Sequence, residues 1–236
     1  VITLFTISIL AFACAQVGAP TGGEVDKNPP KVISVFPELG STNVPTSSGG
    51  MITFEFDEFV NVRQLSAQLL VSPPLTKNVD LVMKGKTVSF VWNEELQRDK
   101  TYIFQFGDAV IDVNEANPAS DLMHAFSTGD VLDTLSLSGS VVDVFTDEKQ
   151  KDKRVFVYDW DLPVDSIVSG SLPLFVTTTN DEGSFTVKYM PEGVYRVLAI
   201  DDVDRNYVWT DGEHLAINTS QIRVTSTDTL EHQKKK

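Results

Sequence analysis

The sequence has a single cysteine, Cys14, and three histidines, too few for a disulfide framework or a Cys/His zinc site. Positive charge is also scarce. Lys and Arg number 19 against 33 Asp and Glu, a net charge of −14, so a phosphate backbone would be repelled and nucleic acid is excluded as a partner. No stretch sustains a 3.6-residue apolar period, and only residues 63–68 could form a helical turn. The one long uncharged apolar run, residues 1–13, falls short of the roughly 20 residues that a membrane-spanning helix needs. Apolar material is otherwise plentiful. Hydrophobic residues make up 42% of the 236, with 14 Phe, which excludes a chain disordered by composition and allows two domains with real cores.

What the sequence has in quantity is alternation. In residues 51–57, Ile52, Phe54 and Phe56 fall on one face and Thr53, Glu55 and Asp57 on the other. Tyr102, Phe104 and Phe106 repeat the pattern against Thr101, Ile103 and Gln105, so each run reads as a half-buried strand. Runs at 31–36, 51–57, 68–71, 79–83, 87–92, 101–106 and 122–126 form one series, closed at Asp130. A second series lies at 135–142, 154–158, 174–179, 184–189, 193–200 and 220–224. Asp181-Glu182-Gly183 reads as a hairpin turn, and Pro191-Glu192-Gly193 supplies the next turn. The fold class expected is all-β: two tandem antiparallel β-sandwiches over 31–130 and 134–226, followed by a polar tail at 227–236.

Residues 1–13 are the apolar core of a signal segment, and residues 14–30 form a flexible tether ending in Pro29-Pro30. Leu10, Ala11, Ala13 and Cys14 resemble the lipobox of bacterial lipoproteins, in which the cysteine is acylated and becomes the N-terminus. The alternative is an ordinary secretory signal cleaved after Ala13, where Ala11 and Ala13 satisfy an A-x-A rule. If the resemblance holds, Cys14 carries the lipid and the membrane is a partner through that anchor alone. Ala15 after the cysteine then implies the outer membrane of a Gram-negative bacterium, and leaves open which face the protein occupies.

Pro29-Pro30-Lys31-Val32, Pro37, Gly40, Asn43-Val44, Phe54, Phe56-Asp57-Glu58, Thr101-Tyr102, Phe106-Gly107, Ile111-Asp112 and Phe126-Ser127-Thr128-Gly129, in that order, resemble the SbsA-type bacterial Ig-like domain. The second series, with Gly139-Ser140-Val141, Asp181-Glu182-Gly183-Ser184-Phe185 and Gly193-Val194-Tyr195, is similar to carboxypeptidase-regulatory or transthyretin-like β-sandwiches. Both resemblances imply a non-enzymatic binding, spacer or assembly module that attaches to an envelope protein or glycan. The competing reading is a carbohydrate-processing or peptidase accessory protein with a site on its acidic loops.

No catalytic residue is assigned. His124 lies in a strand, His214 in an acidic loop and His232 in the tail, and none sits in a G-x-S-x-G or H-E-x-x-H frame. One cluster stands out: Asp202, Asp204 and Asn206 occupy positions 1, 3 and 5, and Glu213 position 12, of a loop with EF-hand spacing. Hard oxygen ligands suit Ca²⁺, although Tyr207 stands where that loop has glycine and the run follows a strand; the alternative is a solvated acidic loop. Asp112-Val113-Asn114-Glu115-Ala116-Asn117 has the same alternation without a closing Glu and reads as an Asx-rich turn. Among the tryptophans, Trp92 alternates with Val88 and Phe90 and is expected in a core. Trp160 and Trp209, with Tyr207, are candidates for a sugar-stacking surface.

Overall fold

The computed structural model describes residues 25–226. Residues 1–24, which include Cys14 and the run expected to be a signal segment, and residues 227–236, which include His232, lie outside the described residues. The chain forms two consecutive antiparallel β-sandwiches, as the alternation predicts.

The first contains β1 (Val32–Phe36), β2 (Met51–Phe56), β3 (Val60–Val62), the helical turn α1 (Leu65–Gln68), β4 (Leu70–Ser72), β5 (Asp80–Lys84), β6 (Thr87–Val91), β7 (Thr101–Gln105), β8 (Val110–Asp112) and β9 (Met123–Ser127). A sheet in the order β1-β2-β6-β5 packs on β4-β7-β9, with β3 and β8 as a short extra pair. Ile52, Phe54 and Phe56 are buried while Glu55 between them is exposed, so the period-two reading of β2 holds residue by residue. The core between the sheets is aromatic: Phe54, Phe90, Phe104, Phe106, Phe126 and Trp92 belong to one buried cluster. Phe90 and Phe106 lie 4.4 Å apart between ring centres, and Phe54 meets Phe106 edge-on at 5.4 Å.

The second sandwich contains β10 (Leu135–Ser140), β11 (Arg154–Asp159), α2 (Val164–Val168), β12 (Phe175–Thr178), β13 (Ser184–Met190), β14 (Gly193–Ile200), β15 (Leu215–Ile217) and β16 (Ile222–Val224). β12, β11 and β14 form the main sheet, and β15 and β16 share one edge of β14. β10 and β13 make the opposing pair. The turn at Asp181-Glu182-Gly183 forms where expected, with the Asn180 side chain accepting the N–H groups of Glu182 and Ser184 and with Gly183 at φ 68°. It is not a hairpin turn, however. β12 pairs with β11 and β13 with β10, so the turn carries the chain from one sheet to the other, and Pro191-Glu192-Gly193 carries it back. Local turn chemistry sets the bend but is silent on which strand the next one pairs with.

A second departure concerns β7. Its burial is continuous from Thr101 to Phe104, where a half-buried strand was expected. Tyr102 and Phe104 face the aromatic core, while Ile103 and its neighbour Ala125 face outward and join the core of the second sandwich with Val155, Val157, Phe175 and Val187. Leu70 likewise packs with Phe156, Tyr158 and Ile200. Hydrogen bonds flank this seam. Ser72 Oγ accepts the Val176 N–H at 2.9 Å, Gln105 Nε2 donates to the Val176 carbonyl at 3.0 Å, and Arg154 donates to the Ala67 carbonyl at 3.1 Å. The outer face of β4-β7-β9 is therefore interior to the molecule as a whole.

Candidate functional site

Beside the seam a groove of about 1240 Å³ opens between the two sandwiches, with Gln68, Gly107 and Asp121 on one wall and Arg154, Lys188 and Asp202 on the other. Its rim is the loop that leaves β14 after Ile200 and returns as β15. The β-ladder sets its start: Ile200 pairs with Arg154, and the chain turns away beyond that pair. Asp201 forms an ion pair with Lys153 and lies 3.3 Å from His214 Nδ1. That imidazole is 94% exposed, so the histidine and aspartate meet in solvent rather than in an enclosed site.

The candidate ion ligands follow. Asp202 is 8% exposed; its Oδ1 accepts the Asn206 N–H at 3.1 Å, and its Oδ2 is buried without a partner. Burial pushes its carboxyl above the ordinary range against the opposing field of Arg154, and Glu213 and Asp204 add to the rise. Glu213 ties the loop closed by accepting the Val203 and Thr210 N–H groups at 2.8 and 2.9 Å. One carboxylate oxygen each from Asp202, Asp204 and Glu213 lie within 4.8 Å of one another. Asn206 stands apart from this set. Its amide oxygen accepts the Val208 N–H at 2.7 Å, and it meets the cluster through its Nδ2, which donates to Asp204 at 2.8 Å.

Tyr207, at the position of the usual glycine, makes the same bend with a left-handed backbone at φ 63°. A side chain larger than glycine is costly there. Compensation comes from the ring, which packs edge-on to Phe156 at 6.4 Å while its hydroxyl donates to the Leu69 carbonyl of the first sandwich at 3.4 Å. Trp209 is half-buried and donates its indole N–H to the Glu213 carbonyl at 3.1 Å. Trp160 sits elsewhere. Its backbone bonds to Val194, at the other end of the β11–β14 ladder, and its ring lies under the Arg196 guanidinium at 4.4 Å. Trp160 and Trp209 thus belong to two separate surfaces rather than one platform.

The other histidine of the described residues, His124, is buried beside Phe54 and Phe126 with no partner on Nε2. The 112–117 segment is the Asx turn that its spacing suggests. Asp112 accepts three backbone N–H groups, from Glu115, Ala116 and Asn117, at 2.6, 2.9 and 2.9 Å. Burial disfavours its charge, but these donors outweigh that and hold its carboxyl below the usual range. Asn117 in turn donates to the Asp26 carbonyl, so the turn also pins the segment that leads into β1. Asp112→Ala is expected to lower the melting temperature by several degrees and to loosen residues 26–28, measurable by hydrogen exchange at Asn28. Unchanged melting and exchange would show that the turn holds itself.

The bacterial Ig-like domain family Big_5 matches residues 26–128, the first sandwich, which is thus an Ig-like domain. No curated protein matches the chain. Among solved structures, it is similar to the L,D-transpeptidase from Mycobacterium smegmatis at 14% identity and TM-score 0.31, over 65% of this chain and 74% of that one. It is similar also to BcpA, the major pilin subunit of Bacillus cereus, in a D312A form, at 10% identity and TM-score 0.26, over 84% and 67%. The T6 backbone pilin of serotype M6 Streptococcus pyogenes gives 13% identity and TM-score 0.26, over 82% of this chain and 51% of the pilin.

Proposed function

We propose that the chain is a non-enzymatic module of the bacterial cell envelope: a stiff spacer, lipidated on Cys14, that holds a binding or assembly surface for an envelope protein or glycan off an outer membrane. In this reading the first sandwich is an SbsA-type Ig-like domain and the second is of the carboxypeptidase-regulatory or transthyretin-like kind. The observation that carries the reading is the seam. Two sandwiches joined only by a linker would swing freely, whereas Ile103, Ala125 and Leu70 sit inside the apolar packing of the second sandwich. Stiffness at a fixed height is what a spacer needs, and the Gly- and Pro-containing stretch between Cys14 and Lys31 suits a tether.

Labelling with a fatty-acid analogue in a host that processes lipoproteins tests the anchor. The wild-type chain is expected to take up label and sediment with membranes, and Cys14→Ala to do neither. Equal labelling of the two would remove the anchor from the proposal.

A further inference from the structure

Three carboxylates of the 201–214 loop converge on one point, and among the described residues no Lys, Arg or His nitrogen lies within 4 Å of any of them. The nearby cations have other partners. Lys153 pairs with Asp201, and Arg154 reaches the Ala67 carbonyl and the Thr178 hydroxyl. Crowded acids at a surface need no ion, since water and salt screen them. Asp202 is different: more than nine-tenths of it is buried, yet its Oδ2 has no hydrogen-bond donor. A buried carboxylate oxygen without a donor is strongly disfavoured, and a bound cation relieves that cost.

The spacing fits one ion. Oxygens about 2.4 Å from a common Ca²⁺ lie at most about 4.8 Å apart, and the three ligand atoms all lie within that distance of one another. The ligand atoms are all carboxylate oxygens, with no imidazole or thiolate, so the chemistry is that of a hard cation. We propose that Asp202, Asp204 and Glu213 hold a single Ca²⁺, with water completing the shell on the exposed side of Asp204. The ion joins the first residues of the loop to its last. Because Glu213 also carries Trp209 through its carbonyl, and Tyr207, between Asp204 and Glu213 in the loop, bonds to Leu69, the bound ion fixes a strut that crosses from the second sandwich to the first. This inference rests on the cluster alone and stands or falls apart from the lipid anchor.

The test is the thermal midpoint of the full chain in millimolar Ca²⁺ against chelator at constant ionic strength, together with terbium luminescence excited through tryptophan. The midpoint is expected to rise by several degrees with Ca²⁺. Terbium emission, sensitised by the adjacent Trp209, is expected to fall as Ca²⁺ displaces the lanthanide. Asp204→Asn, a change on an exposed side chain, should leave the midpoint in chelator nearly unchanged and abolish both responses; Glu213→Gln should abolish the terbium signal as well. An unchanged wild-type midpoint without terbium emission overturns the proposal. So does a Ca²⁺ response that persists undiminished in Asp204→Asn, or an equal rise with Mg²⁺.

Discussion

Trp92→Ala is expected to destabilise the first sandwich by about 3–5 kcal/mol, the usual cost of emptying a large aromatic site in a core. Trp92 is 1% exposed, stacks on Phe126 at 5.6 Å and donates its indole N–H to the Ser47 carbonyl at 3.2 Å. Its six-membered ring lies against Gly50, where an added β-carbon would fall 2.1 Å from Cζ2. Trp92 donates its backbone N–H to the Gly50 carbonyl and accepts that of Gly49, which fixes the two main chains together so that neither can retreat. Gly50→Ala should therefore cost about as much as a severe overpacking change, roughly 3 kcal/mol. The two substitutions should not add: in a Trp92→Ala background the alanine at 50 has room, and most of its cost should vanish. Urea denaturation of the four proteins measures the coupling. If Gly50→Ala is equally harmful in both backgrounds, the glycine is required for its backbone and not for the ring above it.

Acidification should weaken the first sandwich well before its carboxylates titrate. Burial lowers His124 from the ordinary 6.5 to about 4, because the charged imidazolium is poorly solvated between Phe54 and Phe126. The folded state holds the neutral ring and the unfolded state takes up the proton first. The contribution is therefore fully present above pH 6.5 and is lost as pH falls towards 4, by on the order of 3 kcal/mol at pH 4. Asp26, Asp112, Asp143 and Glu192 have lowered values, so what they contribute is lost further down, as pH falls below the ordinary carboxylate range. Asp202 and Glu58, which are raised, act in the opposite sense. His124→Leu should flatten the fall in stability between pH 6.5 and 4.5, followed by denaturant unfolding at each pH. A slope equal to that of wild type would place its origin elsewhere.

The longer strands are legible because they show two or three alternations. Three residues are too few to carry a period, and of the five strands that short, β4 and β16 fall in apolar runs while β3, β8 and β15 give no signal. α2 was missed because five residues behind Pro163, with only Ile167 buried, leave no helical stripe to read. The seam did leave a trace. Tyr102-Ile103-Phe104 is an unbroken apolar run, as expected of a strand covered on both faces, but Thr101 and Gln105 at its ends gave it the look of simple alternation. The acidic cluster was visible from spacing alone, because Asp202, Asp204 and Glu213 are fixed within one loop. Asn206 shared that spacing, yet which way its amide turns depends on Val208 and Asp204 in three dimensions. The separation of Trp160 from Trp209 was invisible for the same reason: it follows from strand pairing, not from distance along the chain.

The burial of Ile103 and Ala125 bears on how such a protein can be rearranged over time. Ig-like units are commonly pictured as beads, exchangeable because each closes its own core. Here the outer face of β4-β7-β9 is finished only by its neighbour, so the first sandwich transplanted alone would carry a greasy strip and tend to stick to other chains. Recombination at the 131–134 link would have to bring along a second sandwich of matching relief. The heritable unit is the pair.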